Sequence, residues 1–315
     1  MSLFSSRHKP HLAPALDDGE LGRVVKALHD VRRPGMIGMT DLHASRVSDL
    51  LRHTGTDWDR RAHRLSVLAQ NTVGSGVPST WVAREPRCAD ALLLDAWARV
   101  VRGRASGGLG DADAVVRSCH RAADLSPEDP TPWVVLLDAS RLGRWAPRRV
   151  RAVWHEAIAR DRWNREAHLQ MLGHLSPEEG GSLMQVLDFV DSLRGQTPGN
   201  APTAGVELTA AVGQYRSVVA RGGVEALMAR HFWDHGPVSR ALDRAGETWP
   251  RPGYLHHAAA LADLNVLAYA LVTAERRGQA ARVFTALEGR VTSWPWRLGG
   301  DPVRTFAYER ARSVR

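Results

Sequence analysis

The sequence predicts an all-α protein built from antiparallel helix pairs stacked one on the next. Three observations predict it. Apolar residues recur at helical spacing from Asp17 onward. No sustained period-2 run of β-branched residues occurs. A helix–break–helix frame returns about every 35 residues.

Taken in order, residues 1–15 read as a disordered arm with two prolines and mixed polarity. "DDGELGRVVKALHDV" then sets Leu21, Val24, Val25 and Leu28 at i, i+3, i+4 and i+7, with acids at the positive helix start. Its "DDGE" suits a helix cap better than a metal-binding motif. "DLHASRVSDLL" repeats the pattern through Leu42, Val47, Leu50 and Leu51. After a Thr-Gly-Thr break comes "DWDRRAHRLSVLAQ".

The frame is clearest at "RAADLSPEDPTPWVVLLDASRLG", Arg121–Gly143. Pro127 stops one helix, the acids of "PEDP" suit the next helix start, and Trp133 opens it. The preceding helix carries Val115, Cys119 and Ala122; 35 residues on stand Val150, Trp154 and Ala157, then Arg162 at the joint and His168 beyond it. A further 36 residues bring Val186, Val190, Leu193 and Pro198. The interval from Pro86 to Pro127 is 41, and the excess is assigned to a loop insertion in "RGRASGGLGDAD", Arg102–Asp113. A single pair cannot bury its apolar face alone, so neighbouring pairs must stack. Four regions follow: the arm at 1–15, a helical region at 16–75, repeats at 76–200, and helical repeats with a cap at 201–315.

The formal charge is +8, and lysine occurs only at Lys9 and Lys26, so 40 of the 42 basic residues are arginine. That ratio points to a GC-rich genome as much as to a phosphate-binding surface, and the arginines are scattered among acids. Cys88 and Cys119 form no CxxC, which argues against a disulfide framework or a zinc knuckle. The start of the chain lacks the apolar core of a secretory signal, and the most apolar run, Ala258–Val272, is too short to span a bilayer. The expectation is a soluble, cytoplasmic protein with no membrane segment and no cofactor.

"VVRSCHRAADLSPEDPTPWVVLL" and "VRAVWHEAIARDRWNREAHLQML" resemble the second helix, joint and following first helix of a tetratricopeptide-type repeat. "ERRGQAARVFTALEGR" offers Ala280 and Phe284 in the same small-x3-aromatic relation. The resemblance covers about residues 80–200, with an echo at 255–290. Departures are Val115 and Val150 at a small-residue position, Leu137 at a glycine position and Arg162 at the joint proline. The chain also resembles repeat proteins of high-GC bacteria. The resemblance implies an α-solenoid and a peptide ligand on its concave face. The matching positions are Thr131, Val134, Asp138 and Arg141 on one first helix, and Glu166, Leu169 and Gly173 on the next. The alternative for Asp138 and Arg141 is an ordinary exposed i, i+3 pair.

Other constellations are sparser. "RHFWDHG" sets His231 and His235 at i, i+4 with Asp234 between them, a spacing that can hold a divalent metal with His256 or His257 as third ligand. The plain alternative is a pair of surface histidines at a helix end. "GGLGD", Gly107–Asp111, lacks the Lys-Ser/Thr of a phosphate loop, and no GxSxG occurs. Most of the eleven tryptophans, Trp81 and Trp97 included, read as packing residues, while "SWPWRLGGDP" reads as a capping loop or the lip of a site. The expected function is therefore a non-enzymatic adaptor binding a protein or peptide. An enzyme or metal protein centred on His231, Asp234 and His235, and an arginine-rich nucleic-acid binder, stand as alternatives.

Overall fold

The computed structural model describes residues 8–14, 16–30 and 39–314. It divides into two compact units: Asp18–Leu187, and Asp188–Arg315 together with residues 1–17. Among the described residues it is mostly helical, with one short strand pair, which is the all-α class the periodicity predicts. No described helix is long and apolar enough to cross a membrane.

The N-terminal unit holds α1 (Gly19–Asp30), α2 (Met39–Arg52), α3 (Trp58–Thr72), α4 (Val77–Arg84), α5 (Ala89–Ser106), α6 (Ala112–Leu125), α7 (Thr131–Leu142), α8 (Pro147–Arg160) and α9 (Arg165–Leu175). The unit boundary falls inside α10 (Leu183–Arg194). α6 packs on α5 and α7, and α8 packs on α7 and α9. α5, α7 and α9 also contact one another in that order. The small positions of the repeat frame serve this contact: Val115, Cys119, Ala122, Val150 and Ala157 are all buried. Trp133 is half-buried instead, edge-on to His120 at 5.6 Å, with the Arg160 guanidinium 5.1 Å from its ring centre.

The joints fall where the prolines and caps put them. α6 ends at Leu125, and the carboxylate of Asp129 accepts the Thr131 N–H at 2.8 Å to start α7. Asn164 does the same for α9, accepting the Ala167 N–H at 3.0 Å. The Arg102–Asp113 insertion is mostly helix, not loop. α5 runs on to Ser106 and only Gly107–Gly110 turn before Asp111 caps α6 through the Ala114 N–H. Here alanine and arginine, both good helix formers, outweigh the glycine content of the segment. A second difference lies in α2: Leu42 is 44% exposed, and His43 and Ala44 take the buried register.

The C-terminal unit contains α11 (Val206–Arg221), α12 (Gly223–Met228), α13 (Gly236–Thr248), α14 (Ala260–Thr273), α15 (Arg277–Leu287) and α16 (Pro302–Ser313). α14 is its central helix, buried from Ala260 to Val272 except Ala262 and carrying Asp263 and Asn265 into the core. A helix apolar all round must be covered on every side, and α11, α13 and α15 cover it. The segment expected to be a disordered arm contributes structure. Residues 1–7 and 15 lie outside the described residues, but His11 and Leu12 form β1, parallel to β2 (Arg290–Val291). Gly289 makes this possible: its φ is +83°, and a Cβ there would meet the His8 carbonyl at 2.8 Å. "SWPWRLGGDP" caps the same core. Trp296 is fully buried against Tyr269, Phe284 and Phe306, and donates Nε1–H to Asn265 Oδ1 at 2.8 Å.

Candidate functional site

The residues matched to a concave peptide face are not presented as an open groove. Thr131 and Val134 are fully buried and Asp138 is 4% exposed, whereas Glu166, Leu169 and Gly173 are half-buried. The physical reason is α3, which packs on α5, α7 and α9 and so covers the face that these first helices share. Asp138 and Arg141 do not form an exposed pair with each other either. Asp138 accepts Trp97 Nε1–H at 2.9 Å and the Arg104 guanidinium. Arg141 is held by both carboxylate oxygens of Glu179, with its Nε–H at 2.7 Å, and by Gln170 Oε1 at 2.5 Å. Gly173 allows this, because a Cβ at that position would strike the Arg141 guanidinium.

What α3 carries into the unit is charge. Arg64 is 5% exposed, and its guanidinium meets Asp18 twice, at 2.8 and 3.1 Å. It also reaches Glu20, the Leu50 carbonyl and the Thr54 hydroxyl. Asp18 is at the same time the cap of α1, accepting the Leu21 N–H at 3.0 Å. Burial alone would raise the Asp18 carboxyl, but the Arg64 and Leu21 bonds outweigh it and hold the group below the usual carboxylate range. One turn earlier, Arg61 bridges Asp90 at 2.5 Å and Asp129 at 3.3 Å. Burial pushes Asp90 up to about 6; Arg61 opposes the rise and Asp129 adds to it.

The neighbouring histidines are held neutral. Burial, reinforced by Arg165, lowers His63 to about 4. Burial likewise lowers His168 to about 4, against a 2.8 Å contact from its Nδ1 to the Asn164 carbonyl. Burial also raises Glu166, partly offset by Arg165, with Asp138 and Asp59 adding to the rise. Thus Asp138, Arg141 and Glu166 do share one electrostatic environment, but it is turned inward. The sequence signal for this seam was an arginine in the apolar register: Arg61, Arg64, Leu65 and Leu68 stand at i, i+3, i+4 and i+7.

The His231 and His235 spacing assumes an α-helix, and the chain there is different. Residues 229–234 form a 3-10 turn and His235 is extended. Three residues per turn brings His231 over Asp234, Nδ1 to Oδ2 at 3.3 Å, and swings i+4 to another face. Of the proposed third ligands, His256 is exposed and His257 is buried, its Nε2 3.2 Å from Asp263 Oδ2. Among the described residues no group of three His, Cys, Asp or Glu is placed to hold a metal ion. Cys88 and Cys119 are free thiols, and burial raises both.

The C-terminal unit contains a pocket of about 230 Å³ between the end of α10, α11, α13 and Tyr254. Leu208, Ala241, Ala245 and Trp249 form its apolar wall. Glu207 joins two arginines at its rim, accepting Arg194 Nε–H at 2.7 Å and an Arg244 N–H at 3.3 Å. Arg194 is also tied to Asp191 at 2.5 Å. Thr197 and Thr203 line the same pocket, and among the described residues their buried hydroxyls have no hydrogen-bond partner. Sequence reading missed every one of these residues, because they come from three helices and two connections with no shared motif. Comparison with family models, curated proteins and solved structures finds no match.

Proposed function

We propose that the protein is a non-enzymatic helical-repeat adaptor for a protein or peptide partner, and that residues 89–175 are degenerate repeats of the tetratricopeptide kind. The repeat reading is supported by the contact order. First helices α5, α7 and α9 touch in sequence, and each second helix touches its own first helix and the next. The binding reading rests on one observation, at the start of α10. Leu183, Met184 and Leu187 are 42%, 66% and 39% exposed, three large apolar side chains on adjoining turns. Exposed apolar clusters of this kind mark contact surfaces. The partner site is thereby assigned to α10 instead of the α7 face, which α3 already covers.

The test is site-specific photo-crosslinking in native cell extract. A crosslinker at Met184 is expected to give a discrete protein adduct that is lost in Leu183→Glu/Leu187→Glu. A probe at Tyr308, 60% exposed on α16, serves as the control. Equal labelling from both positions, or labelling indifferent to the double substitution, would overturn the assignment.

A further inference from the structure

We propose that the pocket of the C-terminal unit is a binding site for a small carboxylate with an apolar body of roughly ten non-hydrogen atoms. Three features lead there independently of the adaptor reading. First, the wall is apolar and fixed. Leu208 and Trp249 are 1% and 5% exposed, so they offer a surface that does not need to be ordered on binding.

Second, a polar side chain is buried with nothing to satisfy it. Thr203 is 2% exposed and lines the pocket, yet among the described residues its Oγ1 has no hydrogen-bond partner. A buried hydroxyl without a partner destabilises the folded state, and a ligand acceptor or donor reaching that depth would satisfy it. Thr197 Oγ1 presents the same unmet demand nearer the surface.

Third, the rim supplies one cation that the protein itself uses lightly. Arg194 is committed to two carboxylates, Glu207 and Asp191. Arg244 is not: its side chain is 56% exposed, and among the described residues its one ion pair is the 3.3 Å contact to Glu207. An arginine has five N–H donors in a planar fork that matches a carboxylate edge-on. Arg244 can therefore take a ligand carboxylate while Glu207 continues to fix the position of the fork. A phosphate would bring a second negative charge against Glu207 and Glu247 on the same rim, so the site suits a single charge. Tyr254 and Gly199 line the pocket side by side, and a Cβ at Gly199 would stand 2.7 Å from the phenol oxygen, so a larger residue there crowds the pocket. A free acid and the C-terminal carboxylate of an apolar chain end present this same chemistry.

The test uses isothermal titration with 3-phenylpropionate, 4-phenylbutyrate and octanoate on the full chain. At least one is expected to bind with a Kd below 1 mM, a conventional threshold of about 4 kcal/mol. The matching alcohol, 4-phenylbutanol, is expected to bind at least about tenfold more weakly, as the loss of one charge-assisted contact requires. Arg244→Gln should weaken 4-phenylbutyrate by about tenfold and leave the alcohol unchanged. Gly199→Val, which crowds the pocket, should abolish both, with circular dichroism confirming an intact fold. A pentapeptide ending in Leu with a free carboxylate, set against its amide, identifies the source: a free peptide that outbinds the small acids makes it a chain end, and the reverse order makes it a free acid. Absence of binding by every acid and by the peptide at 10 mM, chosen well above the expected Kd, would overturn the site. So would an alcohol that binds as well as the acid, or an Arg244→Gln variant that retains full affinity.

Discussion

The two units solve the burial problem with different materials. The N-terminal unit sends charged groups inward on α3 and neutralises them there: Arg64 on Asp18, Arg61 on Asp90 and Asp129. The C-terminal unit fills its centre with rings, Trp296 against Tyr269, Phe284 and Phe306, and uses Asn265 to satisfy the Trp296 indole N–H. Asp263 is buried beside His257, at 3.2 Å, and sits where only Gly205 leaves room for it. Charge burial costs desolvation and repays it only with every partner in place. Ring burial depends on shape and area and is indifferent to pH. One interior should therefore fail through unpaired charge and acid, the other through cavities.

The largest effects come from removing one member of each set. Trp296→Ala should cost about 3–5 kcal/mol by opening a cavity, and it also leaves Asn265 Oδ1 with only the longer bond from the Thr292 N–H. Arg64→Ala should cost about 3 kcal/mol, because buried Asp18 then loses its bidentate partner and keeps only the 3.3 Å contact to Arg60 as counter-charge. Urea unfolding at pH 7 and at pH 3 separates the two. The Arg64→Ala penalty should shrink at pH 3, where the abandoned Asp18 can take a proton. The Trp296→Ala penalty should not move. Equal behaviour at both pH values would dissolve the distinction between the interiors.

Next in size is the pH response of the N-terminal unit. His63 and His168 have folded values near 4 against an ordinary 6.5, so the folded form refuses protons that the unfolded chain accepts. Their stabilisation is complete above about pH 6.5 and is lost as pH falls toward 4, at about 3 kcal/mol for each histidine. Asp90 runs the other way. Raised from 3.8 to about 6, it favours the folded state below its unfolded value, and that advantage disappears as pH rises through 6. Acidification from pH 7 to pH 4 should thus destabilise the protein on balance. His168→Gln should flatten the dependence and Asp90→Asn should steepen it. Denaturation midpoints across that range read both, and an unchanged slope in His168→Gln would remove the assigned cause.

The smallest effect should ignore the difference between the units altogether. Asp111 caps α6 through the Ala114 N–H at 2.9 Å, and Asp301 caps α16 through the Arg304 N–H at 2.8 Å. Alanine at either should cost about 1 kcal/mol, seen as matched small shifts in urea midpoint. A clear inequality would mean that helix ends, too, are governed by the interior they join.

Legibility from sequence follows the range of the interaction. The joint at Pro127–Asp129 was readable because a proline and a capping acid act within four residues. So were Val115, Cys119 and Ala122, whose spacing is the helix period itself. Leu42 misled because two registers of α2 differ by one residue, and the choice between them was made by what covers the helix. Arg64 carries no local signal of its partner: an arginine in the apolar register gains its meaning only when Asp18, 46 residues away, meets it. The pocket was invisible, since Thr203, Glu207, Arg244 and Tyr254 gain meaning only side by side.

By itself, then, the sequence determined the all-α class, the joint between α6 and α7 and the inward-facing small residues, because local backbone preference and periodicity act along the chain. Only the tertiary structure decided that α3 covers the shared face of α5, α7 and α9, that His231 turns to Asp234 instead of His235, and that β1 pairs with β2 across most of the chain's length. Those outcomes depend on which surfaces exclude water together and which charges find partners, and both are set by contacts between residues far apart in sequence.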